Sequence, residues 1–184
     1  MVFDSYIRIL YFHVPVLDPY MIPTMQYLKF EASQTCAVID IVTPPGRNRM
    51  SEGLKENWNT GYDLVIFGQD NVCVNSQLLD LMYCPQPICA IPCLMYPRST
   101  AREMLYQNQI SDGKLHDANS TVPWCTGIMG TGISKINLDV QKRIDLSVID
   151  FHHQNFDATL SKLFHAAGYD KFHLHYPLHI HTKM

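Results

Sequence analysis

The stretch that decides the fold runs from residue 62 to residue 71 and reads Tyr62-Asp63-Leu64-Val65-Ile66-Phe67-Gly68-Gln69-Asp70-Asn71. Its apolar centre, bounded by turn formers, predicts a strand that is buried on both faces of a parallel sheet. Open α/β sheets bind their ligands at the carboxyl ends of such strands. We therefore expect a site at Gln69, Asp70 and Asn71, whose oxygen atoms suit a hard divalent cation or a ribose.

Strands and helices alternate in the chain before this stretch. Apolar runs predict strands over Ile7–Phe12 and Cys36–Val42, with helices near Pro19–Glu31 and over Met50–Asn59. Strands that alternate with helices favour a parallel sheet with right-handed crossovers. The pattern is typical of the first half of a nucleotide-binding α/β fold.

Downstream, the pattern predicts a short helix over Asn75–Met82 and a strand over Ile88–Tyr96. Pro92 interrupts that strand, and because proline cannot donate to a sheet ladder, it predicts an edge strand or a bulge. Three glycines within Trp124–Ile136 indicate a strand to which other backbone segments approach closely.

Two helices and a terminal strand are predicted for the rest of the chain. Asn137 is suited to cap a helix that runs to about Ile144. A longer helix follows Asn155 as its N-cap and stops at Gly168, with these apolar positions at helical spacing: Phe156, Leu160, Leu163, Phe164 and Ala167. Alternation returns over Lys171–Thr182, which predicts a strand or an extended tail.

Composition favours a single folded domain over residues 1–184. A hydrophobic fraction of 47% with 17% charged residues is typical of a globular protein with one substantial core. The net charge of −3 provides no electrostatic footprint for nucleic acid, which we do not expect as a partner. No apolar run approaches the ~20 residues of a spanning helix, so we expect no transmembrane segment and a cytoplasmic location.

Cysteine and histidine are distributed unevenly. The six cysteines form no CxxC pair, and buried reduced thiols are favoured over disulfides. Seven of the nine histidines fall between residues 152 and 181, and four of them would share one side of a single strand: His173, His175, His179 and His181. That pattern suggests a structural zinc site. Against it, no cysteine lies at finger spacing and Pro177 interrupts the strand.

Three separated segments resemble the nucleotide-sugar-dependent glycosyltransferases of the GT-A fold, and they follow one another along the chain in the order that this family has. The first runs from Gly46-Arg47-Asn48 to Gly68-Gln69-Asp70-Asn71 and is similar to that fold's Arg-Asn helix, strand and metal-binding DxD region. The second, residues 126–133, resembles the glycine-containing strand beside the sugar. The third, from Phe156-Asp157 to His179-Ile180-His181, resembles the acidic helix start and terminal histidine.

The resemblance implies an α/β protein with a single GT-A domain, in which helices flank a Rossmann-like, mostly parallel central sheet. It implies transfer of a sugar from a nucleotide-sugar donor to a glycan, lipid or protein acceptor. In such enzymes the DxD region binds a divalent metal, Mn or Mg, that bridges the donor diphosphate and offsets charge on the leaving nucleotide.

The resemblance assigns the metal to Asp70 and Asn71 together with His181 and His179 from the tail. One departure from the family pattern is that residues 69–71 contain a single carboxylate, where members usually have two or more. The alternatives are an ordinary turn aspartate at Asp70 and a solvated strand end at the histidines.

Donor-binding residues are expected in the loops that follow the first three strands. His13, Pro15 and Thr43 would lie near the base and ribose, because they follow the carboxyl ends of strands. Arg47 and Asn48 precede a helix, where backbone N–H groups and a cation can meet phosphate, although Asn48 is equally suited to simple N-capping. Gln69 and Asp70 complete this set.

The remaining candidates concern the acceptor and the base. Inverting sugar transfer needs a carboxylate that takes the proton from the attacking hydroxyl, and the resemblance implies Asp157 for this role. The macrodipole would also favour an acidic residue at that helix start whatever its function. Trp124 beside Gly127 is interpreted as an acceptor-stacking platform, with a buried core tryptophan as the alternative. A further alternative for the whole chain is a catalytically impaired nucleotide-binding or structural module of the same fold.

Overall fold

The computed structural model describes a defined part of the chain, and every structural statement below concerns that part. The described residues are 6–12, 26, 30, 38–42, 50–67, 71–72, 75–91, 93–95, 105–106, 124–125, 127, 129–147, 156–175 and 179–181. Residues 26 and 30 are helical, within the range predicted for the first helix.

Eleven strands and four helices have defined bounds within this part of the chain. The strands are β1 Tyr6–Tyr11, β2 Val38–Val42, β3 Asp63–Phe67, β4 Asn71–Val72, β5 Ile88–Ala90, β6 Cys93–Met95, β7 Leu105–Tyr106, β8 Trp124–Cys125, β9 Ile133–Ile136, β10 Phe172–Leu174 and β11 His179–His181. The helices are α1 Met50–Asn57, α2 Asn75–Met82, α3 Leu138–Gln141 and α4 Phe156–Ala166.

The strands form two sheets. The large sheet has the order β2-β1-β3-β9-β5-β10-β8, and the small sheet has the order β4-β11-β6-β7. In the large sheet β1 is parallel to β2 and β3, and β10 is parallel to β5. Strand β9 lies between β3 and β5 and is antiparallel to both, so β3 and β5 run in the same direction. The α/β class with a mostly parallel large sheet is thus confirmed.

Strand β3 is buried on both faces, as its sequence predicts. Leu64 and Ile66 pack into one core cluster with Leu54 of α1 and Leu160 of α4. Val65 and Phe67 pack on the opposite face, in a cluster that includes leucines of α2. All four strand residues from Leu64 to Phe67 are inaccessible to solvent, because helices cover both faces of the sheet. None of the described helices is long and apolar enough to cross a membrane.

A buried ion pair joins β3 to β9. The Lys135 ammonium of β9 lies 3.4 Å from Asp63 Oδ2, and the two side chains are only 5% and 18% exposed. Lys135 Nζ also donates to the carbonyl oxygen of Cys84 at 2.9 Å, while Asp63 Oδ1 accepts the N–H of Leu138 at 2.7 Å. One pair of charges therefore links β3, β9, the start of α3 and the connection between α2 and β5.

The start of α3 corrects one prediction. Asn137 occupies the N-cap position with an extended backbone, but its side chain makes no capping hydrogen bond. The side chain of Asp63 caps the helix instead, through Leu138, because the antiparallel pairing of β3 and β9 brings that carboxylate to the helix start. The helix ends at Gln141 rather than near Ile144, since the chain continues in turns whose hydrogen bonds span three residues.

Three predicted strands divide differently from expectation. The predicted strand 88–96 divides into β5 and β6, which lie inside different sheets, so the predicted edge position is wrong. The alternative of a bulge at Pro92 falls on a residue outside the described part of the chain. The region 124–136 forms two separate strands, β8 and β9, which do not pair with each other. The tail also divides, with β10 in the large sheet and β11 in the small one. The chain thus changes sheet between β5 and β6 and between β10 and β11, whereas β8 and β9 both belong to the large sheet.

The C-terminal end of α4 agrees with the sequence. Gly168 has φ 90°, a left-handed conformation that glycine adopts without steric cost. The N–H of Tyr169 donates to the carbonyl of Phe164, and the N–H of Gly168 donates to that of His165. This is the Schellman arrangement, which satisfies the last carbonyls of the helix. The predicted cap Asn155 lies outside the described residues.

We predict that Lys135→Met lowers the free energy of unfolding by about 3 kcal/mol, because it leaves the Asp63 carboxylate buried without its partner. The matched control is Lys142→Met, which breaks the exposed 3.0 Å pair with Asp139 and should cost less than about 1 kcal/mol. Urea denaturation measures both changes. Equal losses in the two variants would show that burial adds nothing to the Asp63–Lys135 pair.

Candidate functional site

The carboxyl ends of strands β1, β2 and β3 lie at the same end of the large sheet. These strands are parallel and in register, so their carboxyl ends at Tyr11, Val42 and Phe67 lie side by side. The predicted donor-binding residues follow these ends along the chain. All of them lie outside the described residues, and their roles stay predictions: His13, Pro15, Thr43, Arg47, Asn48, Gln69 and Asp70.

The small sheet brings two predicted metal-binding positions together. Strand β11 pairs antiparallel with β4, and His181 lies directly opposite Asn71. On its other side β11 is parallel to β6, with His179 paired to Cys93. Residues directly opposite in an antiparallel pair have Cβ atoms about 5 Å apart. The backbone register thus places the terminal histidine beside the end of the stretch that follows β3.

A stripe of three polar residues on α4 binds the segment that precedes β9. Asp157 Oδ1 accepts hydrogen bonds from the backbone N–H of Thr131 at 3.1 Å and from the Thr131 hydroxyl. One turn later, Ser161 Oγ accepts the N–H of Met129 at 2.9 Å. Another turn on, His165 Nε2 lies 3.0 Å from the carbonyl oxygen of Gly127. Residues four apart share one face of a helix, so Gly127, Met129 and Thr131 lie along one face of α4.

This stripe sets the position of the predicted base. Phe67 pairs with Ile133, so Thr131 lies beyond the carboxyl end of β3. Asp157, which is hydrogen-bonded to Thr131, therefore lies at the same end of the sheet as Phe67, the last residue of β3. Its role as a base stays a prediction.

One of the two predicted acceptor-binding residues, Gly127, lies at the other end of the stripe. Trp124 belongs to β8, where its backbone pairs with that of His173. The carbonyl oxygen of Gly127 is in contact with the His165 ring, which constrains the backbone there. An acceptor platform at these two residues stays a prediction.

A separate cluster on the large sheet contains Cys84, His173 and His175. One potential ligand atom from each residue lies within 4.8 Å of the other two. The parallel pairing of β5 and β10 positions the histidines, because His173 lies opposite Cys89 and the N–H of His175 donates to Ala90 at 2.8 Å. The two imidazole rings meet edge to face, with centroids 4.7 Å apart.

The environment of the cluster favours a thiolate beside neutral imidazole. The pKa of Cys84 is lowered to about 4, and the largest cause is a hydrogen bond with the Cys89 thiol. Burial of the sulfur raises this pKa, whereas His175 lowers it further. Burial raises the pKa of Cys89 well above its usual range, so Cys89 keeps its proton. Burial likewise lowers the pKa of His173. At neutral pH the cluster therefore combines a deprotonated sulfur with an unprotonated imidazole.

Sequence reasoning missed this cluster. It placed the four tail histidines on one strand and found no cysteine at finger spacing, whereas the structure assigns His173 to β10 and His179 to β11, in different sheets. Cys84 lies far upstream and reaches the histidines only through the β5–β10 pairing. The local signal was the alternation of His173 and His175, which predicts that they share a face. The predicted reduced state is confirmed for Cys84 and Cys89, which are both free and buried.

Comparisons with known proteins provide little further information. No protein-family model matches the sequence, and no curated protein matches it. Among solved structures, the chain is similar to the crystal structure of A197 from STIV, with a TM-score of 0.46 and 10% sequence identity. The match covers 93% of this chain and 80% of that one. At this level of similarity, no property of that protein transfers to this chain.

We predict that Ser161→Ala lowers the free energy of unfolding by about 1–2 kcal/mol, because the buried N–H of Met129 loses its acceptor. The control is Lys162→Ala at the next, exposed position of the same helix, which should change stability by less than about 0.5 kcal/mol. Thermal or urea unfolding compares the two. A loss that is no larger for Ser161→Ala would contradict the role of the stripe in holding Gly127, Met129 and Thr131.

Proposed function

We propose that this protein is a glycosyltransferase of GT-A architecture that transfers a sugar from a nucleotide-sugar donor to an acceptor, with inversion. The observation that carries the proposal is the pairing of Asn71 with His181 in the small sheet. The resemblance implied that the DxD-like stretch and the terminal histidine act at one metal. A chance resemblance would not require these distant segments to be neighbours.

The position of Asp157 supports the same proposal. The carboxylate lies near the carboxyl end of β3, and α/β sheets bind their ligands at the carboxyl ends of their strands. Two hydrogen bonds from Thr131 fix Oδ1, so the side chain is held in one orientation. A base must be positioned within hydrogen-bond reach of the hydroxyl whose proton it removes. Asp157 is the residue that we assign to this step.

The metal would lie between the β3 end and the tail, held by Asp70 and His181, with Asn71 and His179 assisting. Manganese or magnesium at this position would offset the negative charge that builds on the leaving nucleotide. Arg47, Asn48 and Gln69 would border the donor. Carboxylate and amide oxygens are hard ligands, which fits either ion.

A second candidate function is nucleotide binding without transfer, in a catalytically impaired module of the same fold. The observation that favours it is the single carboxylate in the stretch 69–71, since amide oxygens bring only a dipole to a metal. The two functions differ in whether binding of the nucleotide depends on the metal and whether the donor is turned over.

We predict that manganese strengthens the binding of UDP or GDP, and that one nucleotide sugar from a panel is hydrolysed or transferred. Isothermal titration calorimetry with and without manganese measures the binding, and chromatography of the released nucleotide measures turnover. Metal-independent nucleotide binding with no release from any donor would overturn the transferase and favour the binding module. Failure to bind either nucleotide would overturn both functions.

We predict that Asp157→Asn lowers kcat by at least about 100-fold, because an amide cannot take the acceptor proton. The amide oxygen can still accept the Thr131 hydrogen bonds, so the unfolding free energy should change little. The control is Asp170→Asn, an exposed carboxylate just beyond α4, which should leave turnover unchanged. Retention of full activity in Asp157→Asn would exclude this residue as the base.

A further inference from the structure

A second cluster of potential ligands lies on the large sheet at the end of β10, which β9 and β5 separate from β3. Cys84 belongs to the connection between α2 and β5, His173 lies in β10, and His175 follows that strand directly. We propose that Cys84, His173 and His175 bind one zinc ion, which fastens the end of β10 to the α2–β5 connection. The proposal does not depend on sugar transfer, because none of these residues belongs to the proposed donor site.

The geometry needs only a small contraction to hold the ion. Zinc binds sulfur at about 2.3 Å and imidazole nitrogen at about 2.0 Å, so ligand atoms of a tetrahedral site lie about 3.4 Å apart. The three ligand atoms here already lie within 4.8 Å of one another. The contraction would come from rotation of the side chains, because pairing with β5 fixes the backbone of His173 and His175.

The chemistry of the ligands selects the metal. A thiolate with two imidazoles suits zinc, whereas magnesium and calcium prefer oxygen. Nε2 of His175 is buried and makes no hydrogen bond within the described part of the chain. A buried polar atom without a partner destabilises the folded protein, and ligation of a metal by this ring would remove that cost.

Neighbouring groups support the thiolate without competing for the metal. The single S–H of Cys89 can donate either to the Cys84 sulfur or to the carbonyl oxygen of Leu81, which lies 3.9 Å from Cys89 Sγ. The Lys135 ammonium contacts the Cys84 carbonyl, but its charge is balanced by Asp63 at 3.4 Å. The zinc ion would therefore not lie beside an uncompensated positive charge of Lys135. Hydrogen bonds of this kind orient the ligands of metal sites.

The test measures zinc in the full-length protein prepared without a histidine tag. We expect one zinc per chain by mass spectrometry after dialysis, and a thiolate-to-cobalt charge-transfer band when cobalt replaces zinc. Affinity, measured by competition with a chromophoric chelator, should fall by more than about 100-fold in Cys84→Ser and in His175→Gln. The cobalt spectrum of the unmutated protein tests the thiolate ligand even if a variant does not fold.

Two control variants identify the ligands. Cys89→Ser keeps a hydroxyl donor beside Cys84, so the affinity should fall by no more than about tenfold. The double variant His179→Ala/His181→Ala should keep one zinc, because both residues lie in the small sheet. Equal losses in Cys84→Ser and Cys89→Ser, or loss of zinc in the double variant, would overturn the ligand set. Absence of zinc after reconstitution, or copper in its place, would overturn the proposal itself.

Discussion

The buried ion pair between Asp63 and Lys135 is the interaction on which the described structure depends most. Two charges removed from water are costly, and they are tolerated only when they are paired and hydrogen-bonded. This requirement fixes the antiparallel register of β9 against β3, caps α3 through Leu138 and holds the Cys84 carbonyl. Because β9 also pairs with β5, the same register determines where β5 and β10 lie. The positions of both proposed sites therefore depend on the strand register that this pair of charges stabilises.

The tail connects the two proposed sites. His173 and His175 lie at the end of β10 in the large sheet, whereas His179 and His181 lie in β11 of the small sheet. Only three residues separate His175 from His179, so an anchor at the first pair would restrict the position of the second. A zinc ion bound to Cys84, His173 and His175 would fix the first part of the tail. The fixed tail can then present His181 to the manganese or magnesium ion that we place at the end of β3. Our central claim is that the tail histidines serve two sites rather than one.

Local sequence patterns predict much of this fold because their physical causes are local. The buried run Leu64–Phe67 predicts β3 on both faces, the spacing of apolar residues predicts α4, and Gly168 predicts its end. The cap of α3 could not be predicted, because Asp63 competes with Asn137 only once β3 and β9 are paired. The division of the tail between two sheets could not be predicted either, since strand alternation does not specify the partner strand.

The candidate sites also depend on tertiary contacts that local sequence patterns do not specify. The sequence resemblance brought Asn71 and His181 into one hypothesis, and the backbone register places them opposite each other. The cluster at Cys84 has no such signal, because a thiol far upstream meets the histidines only through tertiary structure. The donor-binding predictions from His13 to Asp70 fall outside the described residues, so their roles stay predictions.

The most direct test of the central claim is an anomalous-difference map, collected at the zinc absorption edge from crystals of the full-length protein grown with zinc. We predict a peak in every chain that lies about 2.0–2.3 Å from Cys84 Sγ and from one ring nitrogen each of His173 and His175. Cys89 should lie outside coordinating distance of this peak. A peak between His179 and His181, with none at Cys84, would contradict the claim that the tail histidines serve two sites.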